Sequence, residues 1–569
     1  MVLAVLVGAG AGVGSIVFRW CIQTFTRIFS GRADYAAAPG SGNPHVPWLG
    51  PFFVLVVPVV GGLLYGPLVN RFAKEARGHG VPEVMLAVAQ RGGRISPKVA
   101  VVKTLASALT IGSGGSVGRE GPIVQIGSAL GSTLGRLSRL TEDRMKLLVA
   151  CGAAGGIAAT FNAPLAGVIF AMELILAAFS IEAFGATVLA SVTASVIGRA
   201  AFGDVAFLSL PDFHVQHLAQ YGLFAVLGVV AGAVGVGFSR VLYAIEDACD
   251  WAWRGPEWLR PAVGGLALGL VLLALPEMYG VGYPVLEGAT EGKYAIGFLL
   301  ILLVGKMIAT SLTIGIGGSG GVFAPSLFIG AMLGAAFGAG AHDLLPGTAG
   351  SVGAYALVGM GAVFAGASRA PITAVVILFE LTGEYSIILP LMLAIVLATV
   401  TSHTLTRDTI YTLKLRRRGI DLEGPAPGAA IGAEQVASVM EPLPASVSGT
   451  LTLAEAADLL SRSEHGALPV HDPSRAYLGI VTARAVTEAL ADQPDSVPSV
   501  AGDLAEMPPR VTTDEQLAHA LHSLLSVSGT GLPVVHTETG QPVGWLSHQG
   551  ALRALHAPTE SRTGELLPS

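Results

Sequence analysis

Charged side chains are scarce in this chain. Asp, Glu, Lys and Arg make up 13% of its 569 residues, where a soluble chain carries about a quarter. Most of the sequence is therefore suited to lipid, and a hydrophobic share of 52% agrees. The shortage ends near Arg416, beyond which the composition is that of an ordinary soluble domain. Cysteine is nearly absent. Cys21, Cys151 and Cys249 are odd in number and lie in or beside apolar segments, which excludes a disulfide framework and metal-ligand spacing. There is no basic excess: a net charge of −6 gives no electrostatic footprint for nucleic acid. Asp and His are rare in the apolar stretches, and no HExxH or GxSxG-type context appears. A membrane enzyme would need a nucleophile–base pair or a metal cluster there, so the chain reads as not an enzyme.

What is abundant is glycine. Lys103 to Gly135 reads KTLASALTIGSGGSVGREGPIVQIGSALGSTLG, with two ionisable residues, Arg119 and Glu120, at its centre. An ionised side chain at mid-bilayer costs at least about 2.5–3.5 kcal/mol, which makes such residues functional candidates. Gly112, Gly114, Gly115 and Gly118 supply backbone that need not be helical, and Pro122 suits the first turn of a new helix. A second copy runs from Lys306 to Gly338 at an offset of 203, Thr313 falling on Thr110. A further pair couples Phe161-Asn162-Ala163-Pro164 and Glu173 with Ser368-Arg369-Ala370-Pro371 and Glu380. Duplicated, Gly/Pro-interrupted apolar segments point to a transporter site near the bilayer midplane.

Val2–Ile28 is long enough to span a bilayer and lacks a basic n-region and a cleavage site, so it reads as a membrane helix and not a signal peptide. Trp48–Phe72 is a second span, and Arg71, Lys74 and Arg77 after it place that loop in the cytoplasm. Further apolar stretches follow from Val99–Ile111 to Ile387–Thr401. Many are too short to cross, so their ends must be buried in protein or line a wet cavity.

Three Gly–x–x–x–Pro elements precede helix starts: Gly78 to Pro82, Gly118 to Pro122 and Gly321 to Pro325. Each start offers free N–H groups and the positive end of a helix dipole. The dipole contributes only about 0.3–1 kcal/mol per helix. Converging ends would hold an anion loosely enough for it to leave, as conduction requires.

These residues resemble the CLC family of chloride channels and proton-coupled chloride antiporters. GHGVP is similar to its first signature, GREGP matches its second, GVFAP its third, and Tyr411 in DTIYTLKLRRRG its pore tyrosine. The resemblance covers residues 1–415 and implies an all-α polytopic membrane domain, an inverted repeat of broken and tilted helices. It implies chloride as substrate, protons as the coupled ion, a homodimer in the lipid bilayer, and Glu120 as gate and proton-transfer residue. Anion binding would fall to His79, Gly80, Arg119, Glu120, Gly121, Val322, Phe323, Ala324 and Tyr411, with Phe161 lining the pore. Proton-coupled chloride antiport is the expected function.

Two positions depart from the family pattern. His79 stands where a serine is usual, which bears on anion preference. Leu174 stands where antiporters commonly carry an internal proton glutamate, and Glu173 on a helix points about 100° away. A passive chloride channel is the alternative.

Residues 416–433 read as a linker, and Arg416–Arg418 place the C-terminus in the cytoplasm. The expected location is the plasma (inner) membrane. Beyond the linker lies a tandem repeat with Pro469 matching Pro533, at 434–490 and 498–560. Each copy reads as a strand, an amphipathic helix, two β-rich runs and a second helix. This resembles an α/β CBS-domain pair. Such pairs often hold adenine nucleotide through an aspartate three residues after a Ser/Thr. Here Thr482 leads to Ala485 and Ser547 to Gly550, so no nucleotide cofactor is expected.

Overall fold

The computed structural model describes residues 1–203, 217–421, 434–463, 465–491, 500–527 and 531–556. They fall into two compact units that part after Asp421. Linker residues 422–433, and 498–499 and 557–560 at the margins of the second CBS copy, lie outside the described residues.

The first unit is helical. Its elements are α1 (Val2–Ser30), α2 (Phe53–Phe72), α3 (Val81–Gln90), α4 (Pro97–Gly112), α5 (Glu120–Leu137), α6 (Glu142–Phe161), α7 (Pro164–Phe170) and α8 (Ile181–Phe202). Then come α9 (Ala219–Ala252), α10 (Arg260–Ala274), α11 (Tyr283–Thr290), α12 (Ile296–Gly315), α13 (Phe323–Leu344), α14 (Val352–Ser368), α15 (Pro371–Thr382) and α16 (Ile388–Leu405). The short α17 (Thr412–Arg416) closes the unit. Among the described residues, eight helices are long and apolar enough to cross a membrane. Several others are too short, as the interrupted apolar runs predict.

The duplication extends further than the two sequence segments. α5 packs on α6 and α13 on α14; α1 packs on α4, α6 and α8, and α9 on α12, α14 and α16; α2 packs on α10. Thus α9–α16 repeat α1–α8. Glycine permits the closest approaches: the Gly127 and Gly152 backbones touch, and so do those of Gly330 and Gly359. Equivalent residues also exchange bonds. Ser116 N donates to Thr313 Oγ1 (3.1 Å) and Ser319 N to Thr110 Oγ1 (3.2 Å). Gly118 N donates to Gly321 O (2.8 Å) and Gly321 N to Gly118 O (2.6 Å). Reciprocal bonds of this kind mark a pseudo-two-fold axis through the loops.

After α17, each arginine of the basic triplet finds a carboxylate. Arg416 pairs with Asp408 (3.1 Å), Arg418 with Glu83 (2.5 Å) and Arg417 with Asp247. The triplet therefore ties α17 to α3 and α9.

The second unit is α/β. Its first half holds β1 (Glu441–Pro442), β2 (Val447–Ser448), α18 (Leu453–Ser461), β3 (Ala467–His471), β4 (Tyr477–Thr482) and α19 (Ala483–Ala491). Its second half holds β5 (Val511–Thr512), α20 (Leu517–Leu525), β6 (Gly531–Val535), β7 (Pro542–Ser547) and α21 (His548–His556). One sheet runs β2-β3-β4 and the other β1-β7-β6-β5. The strand β1 pairs antiparallel with β7, so the first half lends an edge to the second sheet. Ile480 and Glu506 return the exchange, each N–H donating to the other's carbonyl at 2.9 Å. A capping box at Thr452 and Glu455 starts α18 and holds the exposed Glu455 carboxyl below its ordinary range.

Candidate functional site

The three Gly–x–x–x–Pro loops meet. Gly78 N donates to Gly318 O at 3.1 Å, beside the Gly118–Gly321 pair. A fourth loop joins them. Gly280-Val281-Gly282-Tyr283-Pro284 repeats Gly78-His79-Gly80-Val81-Pro82 at an offset of 202. Its glycines share the conformation, with φ of +68° and +90° against +77° and +81°. The backbone there is left-handed, which glycine tolerates without strain.

Two buried lysines hold these loops. Lys103 Nζ donates to Ala76 O (3.0 Å) and Gly78 O (2.7 Å). Its repeat mate Lys306 donates to Gly280 O (3.1 Å), Val281 O (2.9 Å) and Ser116 Oγ (2.9 Å). All three ammonium donors of Lys306 are thereby used. The lysines fix carbonyls, which frees the neighbouring amides to face the other way.

Glu120 opens α5 and is buried. Its Oε1 accepts from the Tyr283 hydroxyl at 2.9 Å. Its Oε2 accepts from the Ala324 amide at 3.4 Å, at the start of α13. The carboxylate thus lies on one amide and one hydroxyl of the opposite repeat, at a helix start whose dipole favours negative charge. Tyr283 was not singled out in the sequence, although its loop repeats the first signature.

His79, Glu120, Gly121, Val322, Phe323 and Tyr411 line one constriction, with Val81 and Phe170. Phe170 was also missed; it ends α7 and carries no polar signal. Tyr411 is buried, and among the described residues its hydroxyl has no hydrogen-bond partner. Gly80 lies behind this lining, packed against Gly121 and Gln125. Arg119 lies outside it. Its guanidinium sits over the Tyr283 ring (5.3 Å) and donates to Thr160 O (3.4 Å). It lines a separate cavity of about 270 Å³ with Arg19, Asp34, Tyr283 and Glu287. Phe161 backs the constriction: its ring packs on that of Phe323 at 5.6 Å.

The paired carboxylates have a structural use. Glu173 accepts from Ile372 N (3.1 Å) and Thr373 N (2.8 Å) at the start of α15. Glu380 accepts from Leu165 N (2.9 Å) and Ala166 N (2.7 Å) at the start of α7. Each caps the other repeat's helix. Glu173 sits on a π-helical turn, 171–176, which also turns Leu174 into the apolar core.

A family model described as voltage gated chloride channel matches residues 61–403, and a CBS domain model matches 436–492. A Ralstonia nicotianae protein, named as a ClcB-like chloride channel protein, is 35% identical over 428 residues, 74% of this chain and 97% of that one. A Vibrio campbellii protein named H(+)/Cl(−) exchange transporter ClcA is 37% identical over 360 residues, 62% of this chain and 76% of that one. Among solved structures, a slow cyanobacterial Cl−/H+ antiporter matches with a TM-score of 0.67 and 27% identity, covering 74% of this chain and 97% of that one.

Proposed function

Because the chain belongs to the CLC family of voltage-gated chloride channels and their exchanger relatives, we propose that it exchanges chloride for protons across a membrane, with Glu120 as the gate. The observation that carries this reading is the Glu120 carboxylate resting on the Ala324 amide and the Tyr283 hydroxyl. An ionised carboxylate there is a tethered anion in the place of a free one. Protonation removes its charge, weakens both bonds and frees the amide for chloride. One side chain thus gates the anion and carries a proton.

The anion path runs through the constriction lined by His79, Glu120, Gly121, Val322, Phe323 and Tyr411. Neutral donors suit a conducted anion, because they bind without trapping. Arg119 serves from the outer cavity, where it orients Tyr283, and Phe161 serves by backing Phe323. Chloride is cargo, and no catalytic chemistry is involved. The exchanger is favoured over the passive channel by relatives named as exchangers.

The protein works as a homodimer in a plasma or inner membrane, each copy with its own path. Its C-terminal unit lies in the cytoplasm, a reading supported by the basic triplet Arg416–Arg418 at the membrane boundary. The CBS pair works without nucleotide. Glu441 accepts from the Ser547 hydroxyl at 2.8 Å and crowds Gly550, the position without its aspartate.

Liposomes loaded with chloride and placed in low-chloride buffer test the exchange. Chloride leaving down its gradient should drive protons inward, read as external alkalinisation that a protonophore abolishes. Chloride efflux without such proton movement would make the protein a channel.

A further inference from the structure

His79 is buried among groups that constrain its protonation. The Tyr243 hydroxyl donates its single hydrogen to Ile410 O at 2.6 Å. Toward His79 Nε2, 3.4 Å away, the same oxygen can present only lone pairs. Nε2 must therefore carry a hydrogen. In a neutral ring Nδ1 is then a bare lone pair. Nδ1 is buried and has no hydrogen-bond partner among the described residues, and His79 lines the constriction with Tyr411 and Glu120.

A lone pair repels an anion. The other neutral tautomer would set the Nε2 lone pair against the Tyr243 oxygen. Only the imidazolium donates on both sides, to Tyr243 and to an anion. The charges around the ring oppose the second proton while no anion is present. Lys103 on α4, Lys414 on α17 and Arg418 after it are the cations in its field. Lys414 is buried beside Gly78 and has no hydrogen-bond or ion-pair partner among the described residues. The acids in the field of Lys414 are Glu83 on α3, already paired with Arg418, and Glu246 on α9, while Glu120 on α5 lines the constriction with His79. Another positive charge among those cations is unfavourable until an anion lies between them.

We propose that His79 is the inner proton site of the exchanger: chloride in the constriction and a proton on Nδ1 bind together, the imidazole doing what Leu174 cannot. This rests on the exchange reading above. A hydronium ion of the cytosolic water gives up the proton: one O–H bond breaks, one N–H bond forms at the Nδ1 lone pair, a neutral water is left, and chloride remains a free ion. When chloride leaves, the imidazolium loses its counter-ion and gives the proton up, to the Glu120 carboxylate when that is turned inward or back to water. An anion from outside thereby recruits a proton from inside.

Calorimetric titration of chloride into purified Glu120→Gln protein tests this, because the gate then contributes no proton. Measurements in buffers of different ionisation enthalpy, at pH values between about 6 and 8 around the ordinary imidazole range, give the protons taken up per chloride. The expected result is uptake approaching one proton per chloride, abolished by adding His79→Asn or His79→Gln while chloride still binds. In liposomes, either single His79 variant should lose proton flux by a far larger factor than it loses chloride flux, so that fewer protons move per chloride. Chloride binding whose heat is independent of buffer, or uptake that survives both substitutions, overturns the proposal alone. Absence of chloride binding by the folded protein overturns the exchange reading as well.

Discussion

At the residue scale the proposed gate is a question of which atoms face which donors. Glu120 holds the Tyr283 O–H with one oxygen and the Ala324 N–H with the other. In Glu120→Gln an amide NH₂ must replace one of these oxygens, and it meets a donor with a donor. The side chain should leave the amides, so chloride flux should persist, become independent of external pH and lose its coupling to protons. Liposome flux at several external pH values checks this; loss of chloride flux in a folded protein removes Glu120 from the gate. Tyr283→Phe tests the other bond. A hydrogen bond to a charged group is worth about 1.5–3 kcal/mol, and about 1.4 kcal/mol corresponds to one pH unit. Tyr283 favours the ionised, closed state, so its loss should move the external-pH midpoint of chloride flux toward alkaline by about one to two units. An unmoved midpoint would mean that the hydroxyl does not hold the gate. Glu120 was legible in the sequence because it is a carboxylate in an apolar, glycine-rich run. Tyr283 was not, because the loop that bears it keeps only the glycines and proline of its mate, and the offset slips from 203 to 202.

At the element scale the unit is held by exchanges between repeats, and these were half legible. Glycine and proline dictate where helices break, so the breaks could be read along the chain. What the broken ends bond to is a long-range matter. Glu173 and Glu380 share the same spacing from a proline, which revealed them as a pair, but their crossing over to cap each other's helices needs the fold. Loss of a helix cap costs about 0.5–2 kcal/mol. Glu173→Gln and Glu380→Gln should each lower the midpoint of thermal unfolding while leaving the ratio of chloride to protons unchanged. Thermal-shift measurements and liposome flux on the same samples separate the two effects. A Glu173→Gln protein of normal stability but without proton coupling would make Glu173 a proton carrier and displace His79 from that role.

At the scale of the whole molecule, a helical membrane unit is joined to a CBS pair in which Ala485 and Gly550 stand where a ribose-binding acid would. In the second half, Glu441 on the exchanged strand β1 accepts from Ser547, which in turn accepts from Gly550 N at 2.9 Å. The hydroxyl and amide that a ribose would approach are thus already engaged, and Glu441 lies against Gly550. In the first half, Ala485 N donates to Thr482 Oγ1 at 3.2 Å, and position 485 itself carries no carboxylate. A ligand would have to displace these bonds without gaining a charged partner. ATP and AMP at millimolar concentration should therefore neither raise the thermal midpoint of the full-length protein nor change its chloride flux. Binding in the micromolar range, about −8 kcal/mol, would show that Glu441 turns from Ser547 to the ribose. In that case Glu441→Gln should abolish the thermal shift and leave transport by the membrane unit intact.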